Sequence, residues 1–308
     1  MNSLALKSAL AVFIGGASYG IVAPATKLAF AHGFTWQQTT AGQSTFGVII
    51  FGIVLLIQIL RGAKFAGLDA KTLLQLLGTG ATTCCTCIFY SISLSYLPVA
   101  AAITLLFQFT WIGIVIQMIV THRPPNAAEI AAALIVMTGT VLASGLFSHE
   151  IAGMNPVGVA CGLISAVSCA LFMFFSGKVA NDMPPVQRGL IICVGSAIVA
   201  NLVCPSFLPS ATMFSIAPYS LLQGFFSLFL PVILFGIGAA NLPTGVSTIL
   251  ASAELPCSIL LTYLILGEGA DALQIAGVVV ILLGVVVSQL PTLTPRLFSR
   301  RRRAHARG

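Results

Sequence analysis

From Lys7 to Leu290 the chain is a succession of long apolar runs separated by polar stretches. A helix that crosses about 30 Å of hydrocarbon takes about 20 apolar residues. Read from break to break, ten runs fit that length: about 8–30, 39–60, 71–92, 96–119, 127–147, 155–177, 186–204, 217–240, 243–266 and 271–290. The breaks carry charge, Pro, Gly and Asn, as in Arg61-Gly62-Ala63-Lys64, Thr121-His122-Arg123-Pro124-Pro125-Asn126 and Gly267-Glu268-Gly269-Ala270-Asp271. Pro205 and Pro209 blur the end of the seventh run. Most breaks are short, so successive helices are antiparallel neighbours. Continuous runs, rather than short alternating ones, argue against a membrane β-barrel.

Composition removes the soluble classes. Only 7% of the 308 residues are charged and 58% are hydrophobic, against about 25% charged in an ordinary soluble domain. That few charges cannot clothe a soluble core of this size. A cytosolic enzyme, a disordered chain and a secreted disulfide scaffold are therefore excluded. Eight cysteines fall within apolar stretches and read as small hydrophobes. The first run follows Lys7 but continues to Phe30, longer than the apolar core of a signal peptide, so a retained helix is expected.

The scarce charges orient the chain. With ten spans and a cytoplasmic N-terminus, the inside receives Lys7, Arg61, Lys64, Lys71, Arg123, Lys178, Arg188, Arg296, Arg300, Arg301, Arg302, Arg303 and Arg307. The outside receives Lys27 alone. This is a strong positive-inside pattern, and a miscount of one span in the middle would destroy it. Both termini are expected in the cytoplasm. The basic tail reads as an anchor near anionic lipid, not as a nucleic-acid site.

The two halves resemble each other. An offset of 145 residues carries Leu97-Pro98 onto Leu242-Pro243, Leu105 onto Leu250, Ile114 onto Ile259, Ile130-Ala131 onto Ile275-Ala276, and Gly139 onto Gly284. Each half holds five spans, and five is odd, so the second half enters the membrane inverted. The expected fold is an all-α integral membrane protein of ten transmembrane helices in two five-helix inverted repeats. Residues 1–150 form the first repeat, 151–292 the second, and 293–308 a basic cytoplasmic tail. Inverted repeats are characteristic of secondary transporters.

The sequence resembles the EamA-type family of the drug/metabolite transporter superfamily. Ser18-Tyr19-Gly20 through Lys27 occupies the place of the family's aromatic-Gly pair and downstream Lys. Pro256 followed by Gly267-Glu268 resembles the end of its ninth helix, and Gly277 and Gly284 fit its last one. Tyr19 stands where Trp is common, Trp111 at the first-half Pro position, and His122-Arg123 at the first-half Gly-Glu position. The resemblance implies ten helices, a metabolite cargo and export. It carries no substrate code.

HExxH, GxSxG and Walker A motifs and acidic metal clusters do not occur in the sequence. No enzyme activity, metal or cofactor is expected, and any energy input would come from a gradient. Glu254 falls near the middle of the ninth span, where a carboxylate is costly unless it meets a partner or water. It reads as a site for a substrate amine or a proton, or as an interhelical hydrogen bond. Thr104, Gln108 and Trp111 form a polar stripe on the fourth span, suited to a polar ring or to helix–helix bonding. Gln108 aligns with Ala253 and so shares the depth of Glu254. Tyr19 lies at mid-depth among Gly15, Gly16 and Gly20, and Gln223 near the outer end of the eighth span. Pro231 and Pro256 free backbone carbonyls and are candidate hinges. Lys27 and Lys178 are related by the repeat and suit snorkelling to the interface.

The expected activity is secondary transport of a small metabolite, an amino acid or a related compound, across a bacterial cell membrane by alternating access. Its partners are that solute and the bilayer, with proton coupling open and no nucleic acid. A nucleoside or nucleotide-sugar carrier of the same fold is the alternative. A lipid-modifying membrane enzyme is a third reading, disfavoured because His32, His122, His149 and His305 are scattered.

Overall fold

The computed structural model describes residues 3–63, 66–97, 99–122, 124–143, 155–208, 210–266 and 272–293. All regular structure among them is helical. Eight stretches are long and apolar enough to cross a membrane. They are α1 (Leu4–Ala31), α2 (Trp36–Leu60), α3 (Ala70–Tyr96), α4 (Ala101–Thr121), α6 (Pro156–Ser176), α7 (Pro185–Val203), α8 (Ala217–Asn241) and α9 (Thr244–Leu261). Two further apolar helices are α5 (Ala127–Ala143) and α10 (Ala272–Leu293). The expected span 127–147 reaches beyond these bounds, and the Gly267-Glu268 motif and the basic tail lie outside the described residues.

Local chemistry sets the helix starts. Thr35 and Gln38 form a reciprocal capping box ahead of α2, through Thr35 N to Gln38 Oε1 at 2.9 Å and Gln38 N to Thr35 Oγ1 at 3.4 Å. Asp69 caps α3 by accepting from Thr72 N at 3.2 Å. Asn126 and Glu129 cap α5 reciprocally, at 2.8 and 3.1 Å. Asn155 precedes Pro156 at the start of α6 and accepts from Val157 N. These pairs satisfy amides that the helices leave unbonded at their ends. Large apolar side chains such as Leu10, Ile53, Leu56, Leu134, Leu163, Leu260 and Val279 face outward, as a bilayer permits and water does not.

The helix packing maps onto itself when the halves are exchanged. α3 packs on α6 as α8 packs on α1, and α3 packs on α7 as α8 packs on α2. The pairs α2–α7, α4–α9 and α5–α10 are self-equivalent. Between α5 and α10 the symmetry reaches single residues. A Cβ on Gly139 would stand 2.8 Å from Ile281 Cγ1, and one on Gly284 would stand 2.6 Å from Val136 Cγ2. The 145-residue offset interchanges these two contacts. Small residues at such crossings let the helix backbones approach.

Two helices expected to be continuous are broken at the same place. α4 consists of Val99–Leu106 and Phe109–Thr121, and α9 of Thr244–Ala251 and Glu254–Leu266. Adding 145 to the break at 107–108 gives the break at 252–253. Three backbone bonds repeat with it. Gln108 N donates to Leu105 O and Ala253 N to Leu250 O; Thr110 N to Phe107 O and Leu255 N to Ser252 O; Ile112 N to Gln108 O and Cys257 N to Ala253 O. The breaks touch through Thr110 Oγ1 and Ser252 Oγ at 3.4 Å, while Thr248 Oγ1 donates to Thr110 O at 3.1 Å.

The prolines take specific places. Pro231 follows a π-helical turn, Gly224–Phe229, that widens α8 ahead of it. Pro256 is the third residue of the second α9 segment, where its missing N–H matters little. The Ser252 carbonyl, four residues before it, is already occupied by Leu255 N.

Candidate functional site

The α9 break puts Glu254 at the first position of a 13-residue half-helix. A carboxylate there meets the positive end of the peptide dipole. α1 comes close at the same level. A Cβ on Gly16 would stand 2.6 Å from the Ala251 backbone, and one on Gly20 2.7 Å from Cys257 Cβ and Ser258 N. Beyond Ser18 the chain tightens into a 3-10 turn, Tyr19–Ile21. The Ser18 hydroxyl bridges the Gly15 and Phe226 carbonyls at 2.7 and 2.9 Å. The two glycines and this turn bring Tyr19 and Glu254 to one cavity.

That cavity opens between α1, α2, α3, α4, α6, α8 and α9. Its polar lining is Tyr19, Gln43, Thr83, Thr86, Tyr90, Ser227, Glu254 and Ser258, with the thiols of Cys87 and Cys169. Phe107, Phe172, Leu106, Leu255, Ile103 and Val22 supply apolar wall. A second cavity adjoins it and shares Val22, Ala23, Gln43, Cys87 and Tyr90. Thr26, Phe30, Thr39, Thr40, Ser91, Leu94 and Gln223 complete its lining. Among the described residues, Glu254 is the one charged side chain lining either cavity.

The predicted residues divide between different surroundings. Tyr19 and Glu254 share the first cavity and Gln223 lines the second. Gln223 is held by Nε2 donating to Thr26 Oγ1 at 2.8 Å. Thr104, Gln108 and Trp111 line neither. Trp111 Nε1 donates to Gln108 Oε1 at 2.7 Å, and Gln108 Nε2 donates to the Thr104 carbonyl at 3.0 Å. Trp111 is 44% exposed on the outer side of α4. Depth alone does not choose a face: the position equivalent to Glu254 in the first half is Phe109, one residue beyond Gln108.

Sequence reasoning missed Gln43, Thr83, Thr86 and Tyr90. Thr79, Thr83, Thr86 and Tyr90 follow one another at steps of four, three and four, a single helical stripe. Three of these four line the cavity. Gln43 is buried in α2, and its Nε2 lies 3.3 Å from Cys87 Sγ. All eight cysteines are free thiols, and Cys87 and Cys169 contribute to the cavity as well as to packing.

The sequence model of the EamA-like transporter family matches residues 6–145 and, a second time, residues 156–289. No curated protein matches the sequence. A solved structure described as "Crystal structure of protein" superposes with a TM-score of 0.73 at 18% identity, over 94% of this chain and 98% of the other. That likeness speaks for the fold. A two-fold family match over nearly the whole sequence, the exchange symmetry of the packing and the bilayer-length helices agree: the chain is a multi-pass membrane protein that belongs to the EamA-like transporter family.

Proposed function

We propose that the chain is a secondary transporter that carries a small metabolite across the cell membrane by alternating access around the cavity at Glu254. The observation that carries this reading is the pair of broken helices. Discontinuous helices that meet at the repeat interface are where such transporters build their binding sites, and here the break in α9 places a carboxylate in the cavity wall. Export is the direction, the termini are cytoplasmic, and the junction between the repeats falls at residues 150–151. Tyr19, Gln43, Thr83, Tyr90, Glu254 and Ser258 form the substrate site, and Gln223 belongs to the adjoining chamber. Thr104, Gln108 and Trp111 act in α4 packing. The π-turn ahead of Pro231 is the flexing element of α8, and the α9 break beside Pro256 that of α9.

Glu254 is also the group through which a proton gradient would be coupled. A nucleotide-sugar cargo is disfavoured, because none of the described lining residues is basic. The test is solute accumulation in cells that overexpress the chain, against the inactive control Glu254→Gln. Lower accumulation of at least one metabolite with the wild type, lost in the variant, is expected. Unchanged accumulation across a broad panel would sink the transporter reading.

A further inference from the structure

The lining of the cavity is specific about charge. Among the described residues it holds one carboxylate and no lysine, arginine or histidine. A carboxylate withdrawn from water needs a positive partner or a proton. Four aromatic rings, Tyr19, Tyr90, Phe107 and Phe172, share that cavity with Glu254. Aromatic faces attract a cation electrostatically, and most strongly where water is excluded. The rings are supported from behind. Phe235 lies 6.0 Å from Tyr19 and 6.1 Å from Phe172 between ring centroids, and Phe109 lies 5.4 Å from Phe107. The hydroxyls of Thr83, Thr86, Ser227 and Ser258 leave polar points in an otherwise apolar wall.

We propose that the cavity selects amphipathic monocations: amines or quaternary ammonium compounds with an aromatic or similarly sized apolar body and no carboxylate of their own. This rests on the transporter reading above and narrows it. Glu254 supplies the counter-charge, the four rings take the ammonium and the adjacent apolar body, and the small hydroxyls accept any N–H that Glu254 leaves free. A zwitterionic amino acid would bring a carboxylate into a wall whose described residues offer it no basic side chain. The positive end of the second α9 segment already faces the carboxylate of Glu254. An anion would meet Glu254 as a like charge.

The experiment is binding to the full-length protein in detergent, by calorimetry. The probes are 2-phenylethylamine, benzyltrimethylammonium, L-phenylalanine and 3-phenylpropionate, four ligands with similar rings and different charges. Both cations should bind and compete with each other, and the other two should bind at least 10-fold more weakly. Glu254→Gln should weaken both cations at least 10-fold, and Glu254→Asp should retain part of the binding. Phe107→Leu should weaken benzyltrimethylammonium several-fold, while Gly52→Ala, whose added methyl meets open space, should change it little. Unfolding midpoints of the variants check that each is folded. L-phenylalanine binding within two-fold of the amine, cation binding indifferent to Glu254→Gln, or no binding by either cation overturns the proposal. Vesicle exchange separates the two readings. Glu254-dependent exchange of L-phenylalanine removes the cation selectivity and leaves transport standing. No exchange of any probe, together with unchanged cellular accumulation of a broad solute panel, removes both.

Discussion

Arg188, at the start of α7, donates through Nη2 to the carbonyl oxygen of Ser176, the last residue of α6, at 2.7 Å. Its Nε donates to Val179 O at 2.9 Å, and the side chain is only 3% exposed. Gly236 of α8 leaves the space that Nη1 occupies. A cation at a helix C-terminus is stabilising, and here it ties α6 to α7 with α8 packed alongside. Arg188→Gln should lower the stability of the folded protein by roughly 2–3 kcal/mol, the scale of hydrogen bonds to a charged group. Arg188→Lys should recover little, because a lysine lacks the planar fork that reaches two carbonyls. Thermal unfolding in detergent reads both, and an unchanged midpoint for Arg188→Gln would contradict this role.

The approach of α1 to the α9 break depends on glycine. Gly16→Ala would set a methyl group 2.6 Å from the Ala251 Cα and carbonyl oxygen, which are backbone and cannot swing aside. A cost of about 1–3 kcal/mol is expected from overpacking. Substrate binding should weaken as well, because Tyr19 and Glu254 are carried by the two elements pushed apart. Gly52→Ala is the control, since its added methyl meets open space. Equal midpoints for Gly16→Ala and Gly52→Ala would remove the argument.

The symmetry of α5 and α10 makes a paired prediction. Gly139→Ala and Gly284→Ala should destabilise by similar amounts, about 1–3 kcal/mol each, because each methyl intrudes on the repeat-related contact of the other. The double variant should fall short of the sum, since either change alone already separates the same two helices. Unfolding midpoints of the three variants check this. A double variant that loses the full sum, or single variants of very different cost, would speak against a shared crossing.

Asp69 gives the start of α3 a pH dependence. Its carboxyl is held below the usual carboxylate range by hydrogen bonding from Thr72, side chain first and backbone second. A carboxyl with a lowered pKa stabilises the fold above its unfolded value, about 3.9, and that contribution is lost as pH falls through the lower folded value. Protection of the Thr72 amide from hydrogen exchange should therefore weaken below about pH 4. Asp69→Asn keeps an N-cap acceptor and should flatten the dependence. A wild-type profile no steeper than that of the variant would rule the cap out as the cause.

The bundle was legible because bilayer-length runs and charge asymmetry are properties of whole segments. The repeat was legible from Leu97-Pro98 and Leu242-Pro243 for the same reason. The breaks were not. Phe107 and Ala253 are apolar, so hydropathy passes over them, and a helical wheel drawn through residue 252 carries the wrong phase into the second segment. Ser258, in the same segment as Glu254, lines the cavity with it, while Ser247, ahead of the break, does not. Trp111 was a candidate by chemistry and depth, but its α4 segment turns it outward. The stripe through Thr83, Thr86 and Tyr90 was readable in principle. Ser and Thr are common in membrane helices, where they satisfy their own carbonyls, as Thr86 does with Thr82 O at 3.0 Å.

The matched breaks in α4 and α9 are alike in backbone and unlike in side-chain chemistry. Where the second half presents Glu254, the first presents Phe109, which is 1% exposed and fully packed. An interconversion that lets the halves trade shapes leaves the carboxylate on α9 throughout. On the transport reading proposed above, a solute arriving from either side would meet the same carboxylate, and any difference in affinity between the two faces would lie in the neutral side chains around it. Tuning release without disturbing recognition would then fall to Gln43, Thr83 and Tyr90 rather than to Glu254.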